Sequence, residues 1–124
     1  MDKILTLSLG SISGGLARYF MAGFITQIAD STFPYGTLAV NVIGCFIIGF
    51  LSSLAEDKLL LVPQARLLLM TGFCGAFTTF STFILETSNL MKDGEIVRAL
   101  LNILISIVIG FLVFRCGMML ARIF

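Results

Sequence analysis

Residues 4–28, 35–54, 64–90 and 96–122 form long apolar runs, and together they leave almost nothing for a soluble domain. Crossing a bilayer as a helix takes about 20 predominantly apolar residues. Each run is long enough, and the chain as a whole is 58% hydrophobic and only 12% charged, with no His and no Trp. The reading is an all-α membrane protein of four transmembrane helices in one domain, residues 1–124. Lys3 before an apolar stretch has the outline of a signal peptide. The stretch outruns a short h-region, lacks a small-x-small cleavage site and carries Arg18, so it is read as the first span.

Short polar loops punctuate the runs: Asp30, Ser31, Thr32, Phe33 and Pro34, then Glu56, Asp57 and Lys58, then Lys92, Asp93, Gly94 and Glu95. Pro63 suits a helix start. With alternating spans, Lys3, Lys58, Arg66 and Arg122 share the N-terminal side and Lys92 and Arg98 the other. That split is mild, so it permits a weak N-inside preference or insertion in both orientations. Gly10 with Gly14, and Ser106 with Gly110, have the spacing that lets helices approach closely; Gly44 and Gly49 add small residues on the second span. Contacts within one subunit and contacts between subunits both explain them.

The third run is unlike the others. Residues 72–83 read GFCGAFTTFSTF, two glycines followed by four hydroxyl residues among phenylalanines. At membrane depth an unpaired backbone group costs several kcal/mol, so a glycine-rich break persists only when buried in protein or lining a polar cavity. A break near Gly72 and Gly75 is therefore expected to mark a site for an ion or polar solute. Unwound carbonyls favour a cation and helix N-termini an anion, and both ions can be accommodated together.

Polar residues elsewhere in the runs extend this site. Arg18 is central in the first span, where an arginine costs at least about 2.5 kcal/mol to insert. It either draws anions to a vestibule or holds backbone carbonyls. Asn41 lies early in the second span, and Asn102 and Ser106 share one face of the fourth. With Ser81 and Thr82 they offer a polar track, or else hydrogen bonds between helices worth about 0.6–2 kcal/mol each. Glu86 is either a pore-mouth group or an interfacial carboxylate. Phe77, Phe80 and Phe83 recur every three residues, which ordinarily signifies packing. With hydroxyls interspersed, their electropositive ring edges are suited to touching a dehydrated anion.

Other chemistries lack their parts. Cys45, Cys74 and Cys116 all lie in apolar runs with no His and no paired-cysteine motif, so neither zinc nor redox chemistry has a ligand set. No nucleophile and base stand in a recognisable pattern, and no enzyme is expected. A net charge of +1 gives no footprint for nucleic acid.

The segments GGLARYF (14–20), NVIGCFIIG (41–49) and GFCGAFTTFSTF (72–83) together resemble the Fluc (CrcB) family of fluoride channels. The resemblance implies an antiparallel, dual-topology homodimer in the bacterial inner membrane. It further implies two fluoride pores at the dimer interface and a structural sodium ion on the twofold axis. Carried over by position, it gives Gly75 and Thr78 as sodium-binding carbonyls and Phe80 and Phe83 as aromatic fluoride sites. Asn41, Ser81, Thr82, Glu86, Asn102 and Ser106 then fall along the pore. Asn102 and Gly110 stand where relatives carry hydroxyl or aromatic hydroxyl groups. Passive fluoride export protecting cytoplasmic enzymes is the implied purpose. The alternative is a small proton-coupled multidrug transporter, another short four-helix protein; such transporters need an acidic residue in the first helix, where this chain has Arg18.

Overall fold

A computed structural model describes residues 2–124, and its elements there are all helical. The order is α1 (Lys3–Ala29), α2 (Tyr35–Glu56), α3 (Pro63–Arg66), a π-helical segment (Leu67–Cys74), α4 (Gly75–Phe77), α5 (Phe80–Lys92) and α6 (Ile96–Ile123). The boundaries follow local chemistry. Asp30 stops α1 in the left-handed region at φ 43°, its N–H returning to the Thr26 carbonyl, a conformation aspartate tolerates better than most residues. Pro63 opens α3 at the position where a missing N–H costs nothing. Gly94, at φ +79°, makes the turn into α6.

Three stretches, Tyr35–Glu56, Pro63–Lys92 and Ile96–Ile123, are long and apolar enough to cross a bilayer, which makes the chain a multi-pass integral membrane protein. α1 is 27 residues long, but its glycines, serines, threonines and Arg18 make it less apolar than these three. Contacts at the helix ends set the relative directions. At one end Arg66 donates to the carbonyls of Ala55 and Leu61, and Arg122 reaches Asp57 at 3.2 Å. The Ser53 hydroxyl and the Arg122 guanidinium hold the Asp57 carboxyl below the usual carboxylate range. At the other end Arg98 donates to the Thr32 hydroxyl at 2.6 Å. Spans consecutive in the chain therefore run antiparallel, while the packed pairs, α2 with α6 and α1 with the third span, run parallel.

Glycine sets the packing distances. A Cβ on Gly10 would lie 2.2 Å from the Leu68 carbonyl oxygen, and one on Gly14 would lie 2.2 Å from that of Phe73. The GxxxG pair thus seats α1 directly on the π-helical backbone of its own subunit. Gly49 meets the Phe114 carbonyl and Gly117 that of Phe46 in the same way, locking α2 to α6. Few large side chains are fully enclosed, chiefly Phe77, Val40 and Asn102, whereas Leu16, Phe24, Leu104, Ile107 and Phe111 point outward. Outward apolar side chains are what a lipid-solvated protein requires.

Candidate functional site

The third span does break, but not at its glycines. Gly72 lies in the π-helical segment and Gly75 is helical at φ −61°, ψ −36°. The extended residues are Thr78 (φ −93°, ψ 156°) and Thr79 (φ −148°, ψ 117°). Gly72 serves close packing instead, its absent Cβ lying 3.0 Å from the Gly10 Cα.

Two extended residues at this depth need substitute hydrogen bonds, and side chains from two other helices supply them. Asn41 on α2 grips both backbone groups of Thr79: the Thr79 N–H donates to Asn41 Oδ1 at 2.8 Å, and Asn41 Nδ2 donates to the Thr79 carbonyl at 3.0 Å. Arg18 on α1 donates from Nε to the Ala76 carbonyl at 3.0 Å. Thr78 returns both its N–H and its hydroxyl to the Cys74 carbonyl. Thr79 then caps α5, its Oγ1 accepting from the Thr82 N–H at 3.3 Å and pairing with Thr82 Oγ1 at 3.0 Å.

This arrangement has a consequence for the carbonyls. In an unbroken α-helix the Thr79 N–H would serve Gly75 and the Thr82 N–H would serve Thr78. Asn41 takes the first donor and the Thr79 hydroxyl takes the second. Gly75 and Thr78 are left with carbonyl oxygens deprived of their helical donors, and the Gly75 face opens outward with nothing within 4 Å of an added Cβ.

Two cavities meet at the break, with Thr79 in the wall of both. One, of about 250 Å³, is lined by Asn41, Gly44, Cys45, Cys74, Thr78 and Phe80, among others. The other, of about 580 Å³, contains Arg18, Tyr19, Thr37, Thr82 and Glu86. Inside it the Thr37 hydroxyl donates to Glu86 Oε1 at 2.8 Å. Arg18, Asn41, Thr82 and Glu86, scattered in sequence, are thus gathered in the walls of two cavities that share Thr79. Ser81, the second residue of α5, is exposed.

The phenylalanines divide by environment. Phe77 is 2% exposed and stacks on Phe73 with centroids 5.5 Å apart, so this member of the stripe is packing. Phe83 is 7% exposed and Phe80 75% exposed, their centroids 5.8 Å apart and their planes inclined at 50°. On α6, Asn102 is enclosed between helices and donates to the Thr87 hydroxyl at 2.9 Å. Ser106 Oγ is buried one turn further on with no partner in the protomer.

Thr37 and Thr87 were not singled out in the sequence, and Thr79 only as one of four hydroxyls, though each carried a signal. Thr37 stands four residues before Asn41 on the same helix face. Thr79 precedes a helix with a hydroxyl residue three positions on, the spacing of a cap. Thr87 lies four residues after Phe83, in reach of its carbonyl.

Residues 5–118 match the family described as CrcB-like protein, Camphor Resistance (CrcB). The chain is 46% identical over 119 residues to a fluoride-specific ion channel FluC of Chlorobium phaeobacteroides (strain BS1), covering 96% of this chain and 92% of that protein. It is 45% identical over 122 residues to the protein of that name in Chlorobaculum tepidum, covering 98% and 96%. It is 42% identical over 122 residues to the one in Maridesulfovibrio salexigens, covering 98% and 97%. Likeness of this extent, over essentially the whole length of both chains, makes the protein a member of the CrcB family.

Proposed function

We propose that the chain is the subunit of a fluoride-selective channel that releases fluoride passively from the cytoplasm across the bacterial inner membrane. In this reading α1 is a fourth span, and two subunits inserted in opposite directions form two pores at their interface. The observation that carries it is the broken third span, where amide, hydroxyl and aromatic groups line cavities on both sides of Thr79. Fluoride is strongly hydrated, so a selective pore must replace its water with close donors while keeping each site weak enough to leave. Asn41 spends one N–H on Thr79 and has a second to offer; Ser81, Thr82 and Ser106 add hydroxyls, and Phe80 and Phe83 add ring edges. Arg18 lends positive potential to the larger cavity while Glu86 stands at its wall, and Asn102 on α6 packs against α5 at Thr87.

A single protomer offers only half of such a site. Phe80 lies open, as does the backbone beside Gly75, which supports completion by a second copy. Sodium suits the donor set: the Gly75 and Thr78 carbonyls are hard oxygens without helical donors, and two subunits would offer four of them. The ion would supply fixed positive charge at the interface, and these carbonyls would hold it. The multidrug-transporter reading is disfavoured because α1 has no Asp or Glu from Lys3 to Ala29.

Proteoliposomes loaded with fluoride or chloride test the reading: fluoride should leave rapidly and chloride should stay. Equal release of both, or of neither, would overturn it. For topology, a cysteine placed at Asp93 should be labelled from both sides of the membrane; labelling from one side alone would sink the antiparallel arrangement.

The two rings should respond differently to Phe→Ile. Phe80→Ile should cut fluoride efflux about tenfold, the scale of roughly 1.4 kcal/mol at a barrier, with little change in stability. Phe83→Ile should cut flux as well and cost about 1 kcal/mol of stability, because this ring is buried in the protomer. Full efflux from folded variants would defeat the aromatic-site mechanism.

A further inference from the structure

A hydrogen-bond relay joins α6 to the backbone beneath one of the two aromatic rings. Asn102 Nδ2 donates to Thr87 Oγ1 at 2.9 Å, and Thr87 Oγ1 donates its single proton to the Phe83 carbonyl at 2.7 Å. Asn102 is 1% exposed and Thr87 5% exposed, so the amide is turned into the helix contact rather than toward a cavity. Neither residue lines the two cavities at the break.

The register of α5 gives this relay a purpose. Thr79, Phe83 and Thr87 are spaced by four residues and share one helix face. One turn before Phe83, Asn41 of α2 grips Thr79; one turn after it, Asn102 of α6 grips Thr87. Asparagines on two neighbouring helices thus clamp α5 on either side of the turn that carries Phe83. Through the Thr87 hydroxyl the second clamp bonds the Phe83 carbonyl itself.

We propose that Asn102 and Thr87 are positioning residues for Phe83, fixing its backbone and ring pose and thereby the discrimination between fluoride and larger anions. The inference rests on the channel reading above and assigns Asn102 an indirect role in place of contact with the ion. An aromatic edge discriminates by distance, so a ring free to shift admits a larger anion more readily.

A double-mutant cycle separates the two roles. Thr87→Val keeps the shape and removes the hydroxyl, Asn102→Leu removes the amide, and Thr87→Ser keeps the relay. Thr87→Val and Asn102→Leu should each lower the fluoride-to-chloride permeability ratio about fivefold, the scale of one hydrogen bond. The double variant should be no worse than either, and Thr87→Ser should retain the original ratio. A wild-type ratio in Thr87→Val, or a double variant equal to the product of the singles, overturns the proposal. Should Asn102→Leu fail to fold, Asn102→Ser, polar but too short to reach Thr87, takes its place.

A second readout is independent of transport. In bilayer nanodiscs with ¹³C-labelled phenylalanine, the Phe83 ring resonances should be displaced in Thr87→Val and Asn102→Leu and unchanged in Thr87→Ser. Unmoved resonances in the first two variants refute the relay even if the wild type carries no fluoride, whereas absent wild-type flux with displaced resonances refutes only the channel reading.

Discussion

If the proposed function holds, Asn41→Leu should abolish fluoride efflux and its proposed dependence on sodium, the largest functional loss expected from any single uncharged side chain in this protein. Leucine fills a similar space but cannot bond the Thr79 N–H and carbonyl, which Asn41 now holds at 2.8 and 3.0 Å. Leaving both groups unpaired among apolar helices costs several kcal/mol. The least costly escape returns the Thr79 N–H to the Gly75 carbonyl and rewinds the break. That would remove one of the two freed carbonyls as well as the amide proposed above as an anion donor. Asn41→Asp makes the contrast sharper, since a carboxylate can accept from the Thr79 N–H yet cannot donate to its carbonyl. Efflux measured in proteoliposomes across a range of sodium concentrations gives the answer. Wild-type flux with wild-type sodium dependence in Asn41→Leu would show that the amide does not maintain the break.

Gly14→Leu should prevent stable folding altogether. The added Cβ would sit 2.2 Å from the Phe73 carbonyl oxygen and 2.9 Å from its Cα. These are backbone atoms of a helical segment, so no side-chain rotation relieves the overlap. Separating α1 from the π-helical segment would forfeit the contact that presents Arg18 to the Ala76 carbonyl. A loss above about 4 kcal/mol is the expected scale for such a change. The neighbouring Gly15, with nothing within 4 Å of an added Cβ, is the control: Gly15→Leu should leave the protomer folded. Gel filtration after graded heating in detergent distinguishes the two. A monodisperse Gly14→Leu protein as heat-resistant as the wild type would show that the seat of α1 lies elsewhere.

The helices were legible because lipid solvation makes apolar length a strong signal. Runs at 4–28, 35–54, 64–90 and 96–122 correspond to helices that begin and end within two residues of them. The family was legible in the same way, from GGLARYF, NVIGCFIIG and GFCGAFTTFSTF, and the profile match over residues 5–118 bears it out.

The position of the break was not legible. Glycine is the residue most tolerant of irregular backbone, so Gly72 and Gly75 were the natural place to expect it. Yet glycine in a membrane helix also serves close approach, and that is the role of Gly72 against Gly10. The chain opens instead at Thr78 and Thr79, where partners from α1 and α2 meet it. The two faces of Arg18 were likewise inseparable in one dimension; three dimensions bring it to the Ala76 carbonyl, 58 positions away, in the wall of the larger cavity.

Sequence by itself determined what depends on composition along the chain: helices of membrane length, their caps and loops, and the presence of an irregular third span. Tertiary structure decided where that irregularity falls and which carbonyls it frees. A backbone group at membrane depth stays out of the helix only where another element replaces its lost hydrogen bond. Here the replacements are Asn41, 38 residues away from Thr79, and Arg18, on another helix again.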